Sequence, residues 1–115
     1  MKRDYRDYLD DILTSMDEVA EFTRGQTYES FAQDKKTVNA VIRSLEVAGE
    51  AAKSLPAGLR AKCPDVPWKR MSGMRDKRVH HYFGVDLRIV WSVVTDEFPP
   101  LRPLIQRMRT AIDKP

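Results

Sequence analysis

Residues 34–55 read Asp34-Lys35-Lys36-Thr37-Val38-Asn39-Ala40-Val41-Ile42-Arg43-Ser44-Leu45-Glu46-Val47-Ala48-Gly49-Glu50-Ala51-Ala52-Lys53-Ser54-Leu55. Within them Val38, Val41, Ile42, Leu45, Ala48, Gly49, Ala52 and Leu55 recur at the spacing of one face of an α-helix, the clearest such pattern in the chain. Asp34 stands where an N-cap belongs. Gly49 sits inside the stripe, where a missing side chain lets another helix approach closely.

The same periodicity extends in both directions. Upstream, Tyr5, Tyr8, Leu9, Ile12, Met16 and Val19 or Ala20 predict a helix from about Tyr5 to Arg24, stopped by Gly25. Thr27 then caps a single turn through Tyr28 and Phe31. Downstream, Pro56 to Lys62 forms a short helix, and Pro64 to Pro67 breaks the chain before a helix from Trp68 to Val79. Leu87, Val90, Trp91, Val94 and Phe98 mark the next helix, with Asp86 as its cap. Ile89 and Val93 widen its stripe, which predicts cover from the core on one side and from a second subunit on another. Pro99 and Pro100 are expected to end it, and a last helix carries Leu101, Leu104, Ile105, Met108 and Ile112. The expected fold is a single all-α domain over residues 1–115, a small antiparallel helical bundle.

Composition narrows the function classes. Of 115 residues, 42% are hydrophobic and 32% charged, too apolar for disorder and ordinary for a globular chain. The longest apolar run, Ile89-Val90-Trp91, is far short of a membrane span, and no signal peptide is read at the start. Cys63 is the single cysteine, which excludes an intrachain disulfide or a cysteine metal cluster and predicts a reducing cytoplasm. The net charge of +3 is unevenly spread. Acidic groups crowd residues 1–21, whereas Arg60, Lys62, Lys69, Arg70, Arg75, Lys77 and Arg78 crowd the basic segment where a polyanion would be held.

The chemistry concentrates in residues 75–82, Arg75-Asp76-Lys77-Arg78-Val79-His80-His81-Tyr82. Arg75 falls on the apolar stripe of Trp68, Met71 and Val79, and a guanidinium aimed at a core needs anionic or hydrogen-bonding partners. Beside it, a histidine moves protons near neutral pH. In a regular helix His80 would point about 140° from Arg75. Two routes bring them together: a turn near Gly84 folds His80 back, or a two-fold axis sets the segment against its own copy. Such a cleft suits RNA cleavage without metal or cofactor. One imidazole takes the 2′-hydroxyl proton, a second imidazole or water protonates the leaving 5′-oxygen, and the guanidinium neutralises the phosphoryl oxygens. The nucleophile belongs to the RNA.

The sequence resembles the HepT-like branch of the HEPN superfamily, toxins paired with a minimal nucleotidyltransferase antitoxin. The resemblance is carried by Leu45-Glu46-Val47-Ala48-Gly49-Glu50-Ala51, Val66-Pro67-Trp68, Gly73-Met74-Arg75-Asp76, His80-His81-Tyr82-Phe83-Gly84-Val85-Asp86 and Ile89-Val90-Trp91, in the family's order and over nearly the whole chain. Arg75, His80 and Tyr82 reproduce the family's Arg-x4-His-x-Tyr motif. It implies a homodimer whose paired motifs line a composite ribonuclease cleft, with Arg75 and His80 catalytic. It also implies that Tyr82 accepts AMP from the antitoxin, as in a type VII-like toxin–antitoxin system. Asp76, Lys77, Arg78, His81, Lys69 and Arg70 are then supporting, RNA-binding residues. Arg78 departs from the pattern, standing where relatives carry an aliphatic residue. It either adds phosphate affinity or disturbs the packing of the helix end.

Plainer readings stand beside these. Arg75 can be a structural partner of Glu46 or Glu50, which otherwise pair with Arg43 and Lys53. His81 reads as an exposed loop histidine, Tyr82 as a packed ring, Trp68 and Trp91 as core, and Cys63 as a half-buried structural thiol. The alternative function is a non-catalytic helical dimer that binds a nucleotidyltransferase partner or a nucleotide. The two are separated by whether His80→Ala abolishes cleavage.

Overall fold

A computed structural model describes residues 3–74 and 86–113. The elements are α1 (Tyr5–Phe22), α2 (Tyr28–Gln33), α3 (Lys35–Ser54), α4 (Ala57–Ala61), α5 (Trp68–Gly73), α6 (Leu87–Ser92), a π-helical turn (Val93–Glu97) and α7 (Phe98–Asp113). Among the described residues there is no strand, and the all-α expectation holds. No helix among them is long and apolar enough to cross a membrane.

The helix starts follow from side-chain capping. The Asp4 carboxylate accepts from the N–H groups of Arg6 and Asp7, and the Asp7 carboxylate accepts from the Asp4 N–H, closing a reciprocal box. Thr27 and Ser30 repeat the arrangement at α2. Asp34 caps α3 as the sequence predicts, accepting from the Thr37 N–H at 3.2 Å and its hydroxyl at 2.6 Å. These bonds, the hydroxyl first, hold its carboxyl below the usual aspartate range. At the other end of α1, the Thr23 hydroxyl donates to the Val19 carbonyl at 2.7 Å, and Gly25 turns the chain with φ +77°. That conformation suits glycine, and the helix stops two residues before Arg24.

The core lies between α1, α3 and α7. Leu9, Ile12, Met16 and Val19 of α1 meet Val41, Leu45, Ala48 and Ala52 of α3, with Ile105 and Met108 of α7 closing the cluster. Each large side chain withdrawn from water contributes about 1.5–3 kcal/mol. The α3 stripe is buried as expected, Gly49 included, with Ser44 and Ala51 also covered and Ile42 half-buried. On the surface Asp17 faces Arg102 and Asp10 faces Arg109, so α1 and α7 run antiparallel.

One expectation is corrected. Pro99 and Pro100 do not end the helix begun at Leu87; helical structure continues through them to Asp113. The π turn supplies the reason. The Phe98 N–H bonds five residues back to the Val93 carbonyl, and the widened turn relieves the clash of a proline ring with the carbonyl of the preceding turn. Pro99 and Pro100 then occupy the first turn of α7, where a missing N–H is tolerated. Both prolines are exposed. A second expectation is refined: Val93 is buried in the core, while Ile89 is 58% exposed.

Candidate functional site

The candidates Arg75, Asp76, Lys77, Arg78, His80, His81 and Tyr82 lie outside the described residues. What can be built is the frame on either side of them. Arg75 follows Met74 at the end of α5, and Val85 precedes Asp86 at the start of α6.

The incoming side begins at Trp68. Its ring N–H donates to the carbonyls of Arg60 and Cys63, both at 3.0 Å, and its ring is buried beside Val66 in the core cluster. This ties the start of α5 to the end of α4, and the expectation that Trp68 is core holds. Met71 is buried and Met74 half-buried, both on the side of α5 that packs on α3. Cys63 is half-buried, as expected. Lys69 and Arg70 lie on the outer side. Lys69 is exposed, and Arg70 reaches across to Glu97 in the π turn, Nη2 to Oε2 at 2.8 Å.

The outgoing side begins with Asp86, whose carboxylate accepts from the Arg88 N–H at 3.0 Å. The Arg88 guanidinium then lies over the Tyr28 ring, 4.2 Å from its centre. Trp91 packs against Phe31 at 5.1 Å and presents an edge to Tyr28 at 6.5 Å. Its half-buried ring is part of the packing, as expected.

Between the two sides runs a groove of about 420 Å³. Its walls are mostly apolar, including Met71, Met74, Ile89, Val93 and Phe98, and Arg70 and Glu97 supply charges of opposite sign. On α3, Glu46 pairs with Arg43 at 3.4 Å, as its spacing predicts. Glu97 is the frame residue that sequence reasoning did not find. It lies 27 residues from Arg70, just before two prolines that read as a stop, and no local pattern marks it.

The profile of the family described as "Ribonuclease HepT-like" matches residues 12–108. "Probable ribonuclease HepT" of Thermococcus cleftensis is 45% identical over 109 residues, covering 95% of this chain and 99% of its own length. "Putative RNase MJ0127" of Methanocaldococcus jannaschii is 50% identical over 98 residues, 85% of this chain and 81% of its own. "Putative RNase TTE0752" of Caldanaerobacter subterraneus is 42% identical over 103 residues, 90% of this chain and 92% of its own. No solved structure matches this chain significantly.

Proposed function

The chain belongs to the HepT-like ribonuclease family, and we propose that it is a metal-independent endoribonuclease whose catalytic residues are Arg75 and His80. One observation carries this reading: Arg75, His80 and Tyr82 stand at the family's Arg-x4-His-x-Tyr spacing inside the stretch that matches a ribonuclease family. The His80 imidazole removes the proton of an RNA 2′-hydroxyl, and the 2′-oxygen attacks the adjacent phosphorus. The bond from phosphorus to the 5′-oxygen breaks, and that oxygen takes a proton from a second imidazole or from water. The Arg75 guanidinium offsets the charge on the phosphoryl oxygens. The products are a 2′,3′-cyclic phosphate and a 5′-hydroxyl, with no redox partner and no protein nucleophile.

The working unit is a homodimer that sets two copies of the segment around one cleft. The exposed Ile89 beside the apolar groove supports a second subunit against this side. The protein acts as the toxin of a toxin–antitoxin pair, and a nucleotidyltransferase antitoxin neutralises it by transferring AMP to Tyr82. The added phosphate and adenosine occupy the place of an RNA phosphate. His81, Asp76, Lys77, Arg78 and Lys69 support the bound RNA.

The test is direct. His80→Ala and Arg75→Ala each abolish RNA cleavage and growth inhibition while the helical spectrum is retained. EDTA leaves activity intact, and products carry 2′,3′-cyclic phosphate. Tyr82→Phe cleaves RNA but gains no AMP mass when co-expressed with the nucleotidyltransferase. Full cleavage by His80→Ala sinks the catalytic assignment, and AMP transfer that persists in Tyr82→Phe sinks the assignment of the acceptor.

A further inference from the structure

The frame around residues 75–85 is held unevenly. The start of α5 is fixed by two hydrogen bonds from Trp68 and by burial of its ring. Its end is less covered: the helix is only six residues long, Met74 is half-buried, and a Cβ at Gly73 would meet no atom within 4 Å. Among the described residues α5 packs on α3, and the groove parts it from α6 and α7. Across that groove stands the Arg70–Glu97 ion pair.

Glu97 reaches Arg70 from the last position of the π turn, with its side chain 26% exposed. The neighbouring carboxylate is used differently: Asp96 accepts from the hydroxyls of Ser92 and Thr95 within its own helix. The π turn therefore divides its two acidic residues between a local and a long-range role.

We propose that the Arg70–Glu97 pair is a strut that fixes the end of α5, and so the point from which Arg75 departs, relative to α6 and α7. Arg70 and Glu97 are positioning residues for RNA cleavage, and Arg70 is not primarily an RNA ligand. This rests on the reading of Arg75 and His80 given above. An ion pair this exposed contributes at most about 1 kcal/mol to stability. Rate is a more sensitive quantity, because misplacing a catalytic group by about 1 Å can cost on the order of a hundredfold. The strut is thus best read in turnover, where a severalfold change is readily measured.

The experiment measures kcat and KM on a defined RNA with the full chain, and amide exchange across residues 75–85 in parallel. Glu97→Ala and Arg70→Ala each lower kcat severalfold, by up to about fivefold, with KM essentially unchanged and faster exchange across the segment. The double variant is no worse than either single one. Glu97→Gln, which keeps an acceptor oxygen for Arg70, recovers part of kcat. Glu21→Ala, which removes the exposed pair with Arg24 at the end of α1, behaves as wild type.

Unchanged kcat and unchanged exchange in Glu97→Ala overturn the strut. A raised KM in Arg70→Ala with a lowered KM in Glu97→Ala, both at constant kcat, also overturns it, because Arg70 is then an RNA ligand that Glu97 restrains. A wild-type chain that cleaves no RNA overturns the reading of Arg75 and His80 instead, and the exchange data alone decide the strut.

Discussion

The α1–α3–α7 side of the molecule and the α5–α6 side are built by different means. In the first, long helices, two of them with side-chain caps, bury continuous faces in one core. In the second, two six-residue helices border a groove and depend on a few identifiable bonds: Trp68 to the carbonyls of Arg60 and Cys63, Asp86 to the Arg88 N–H, and Arg70 to Glu97. The first arrangement spreads its stability over many side chains. The second makes geometry depend on single side chains, on the side of the molecule to which the proposed catalytic residues attach.

The sharpest way to break that division is Ile105→Ala. Ile105 is fully buried, so the truncation leaves a cavity and costs about 2–5 kcal/mol, read as a lowered midpoint in urea. RNA cleavage per folded molecule should stay near wild type. A large loss of kcat in the folded fraction would mean that the two sides are not separable.

Trp68→Phe tests the other side. It keeps an aromatic ring but removes the N–H bonded to two carbonyls, costing about 0.5–1.5 kcal/mol, because each carbonyl keeps a backbone N–H donor. Its effect on kcat should exceed that of Ile105→Ala although its effect on stability is smaller. Chemical denaturation and cleavage assays on the same preparations check the reversal.

The smallest effect is expected at Asp17, an exposed partner of Arg102 on the scaffold. Hydrogen bonding by the Arg102 guanidinium holds the Asp17 carboxyl below its usual range. The unfolded chain therefore binds more protons than the folded one in acid, and stability rises with pH through that window. The contribution is complete above the ordinary aspartate pKa of about 3.9 and is lost as pH falls through the lower folded value. Asp17→Asn should cost less than about 1 kcal/mol at neutral pH and flatten the acid limb of a stability profile. An acid limb unchanged in Asp17→Asn would show that the pair carries none of this dependence.

The same division governs what could be read from the chain. The scaffold was legible because repetition encodes it: the stripe from Val38 to Leu55, the caps at Thr27 and Asp34, and the glycine at position 25 each act through near neighbours. Pro99 and Pro100 were misread because proline usually ends a helix, and the wider turn that accommodates them has no compositional signature. Glu97 was missed for a related reason, since its partner is 27 residues away and only the three-dimensional path of the chain joins them. Of the candidate residues, Lys69 was legible as an exposed cation and Arg70 as a cation but not as half of an ion pair. Arg75, His80 and Tyr82 are proposed from chemistry and resemblance, which name groups without fixing their distances.

The pairing of α1 with α7 also bears on the order in which the protein can form. Asp17 and Arg102 are 85 positions apart, and Asp10 and Arg109 are 99. At translation rates of about 5–20 residues per second, the face of α1 waits on the order of 5–20 s for the helix that covers it. Until α7 has left the ribosome, α1 and α3 lack the third wall of their core. A nascent chain is thus held short of its active fold while most of its length has already been synthesised. For a member of a ribonuclease family, the scaffold is therefore completed only once α7 has been made.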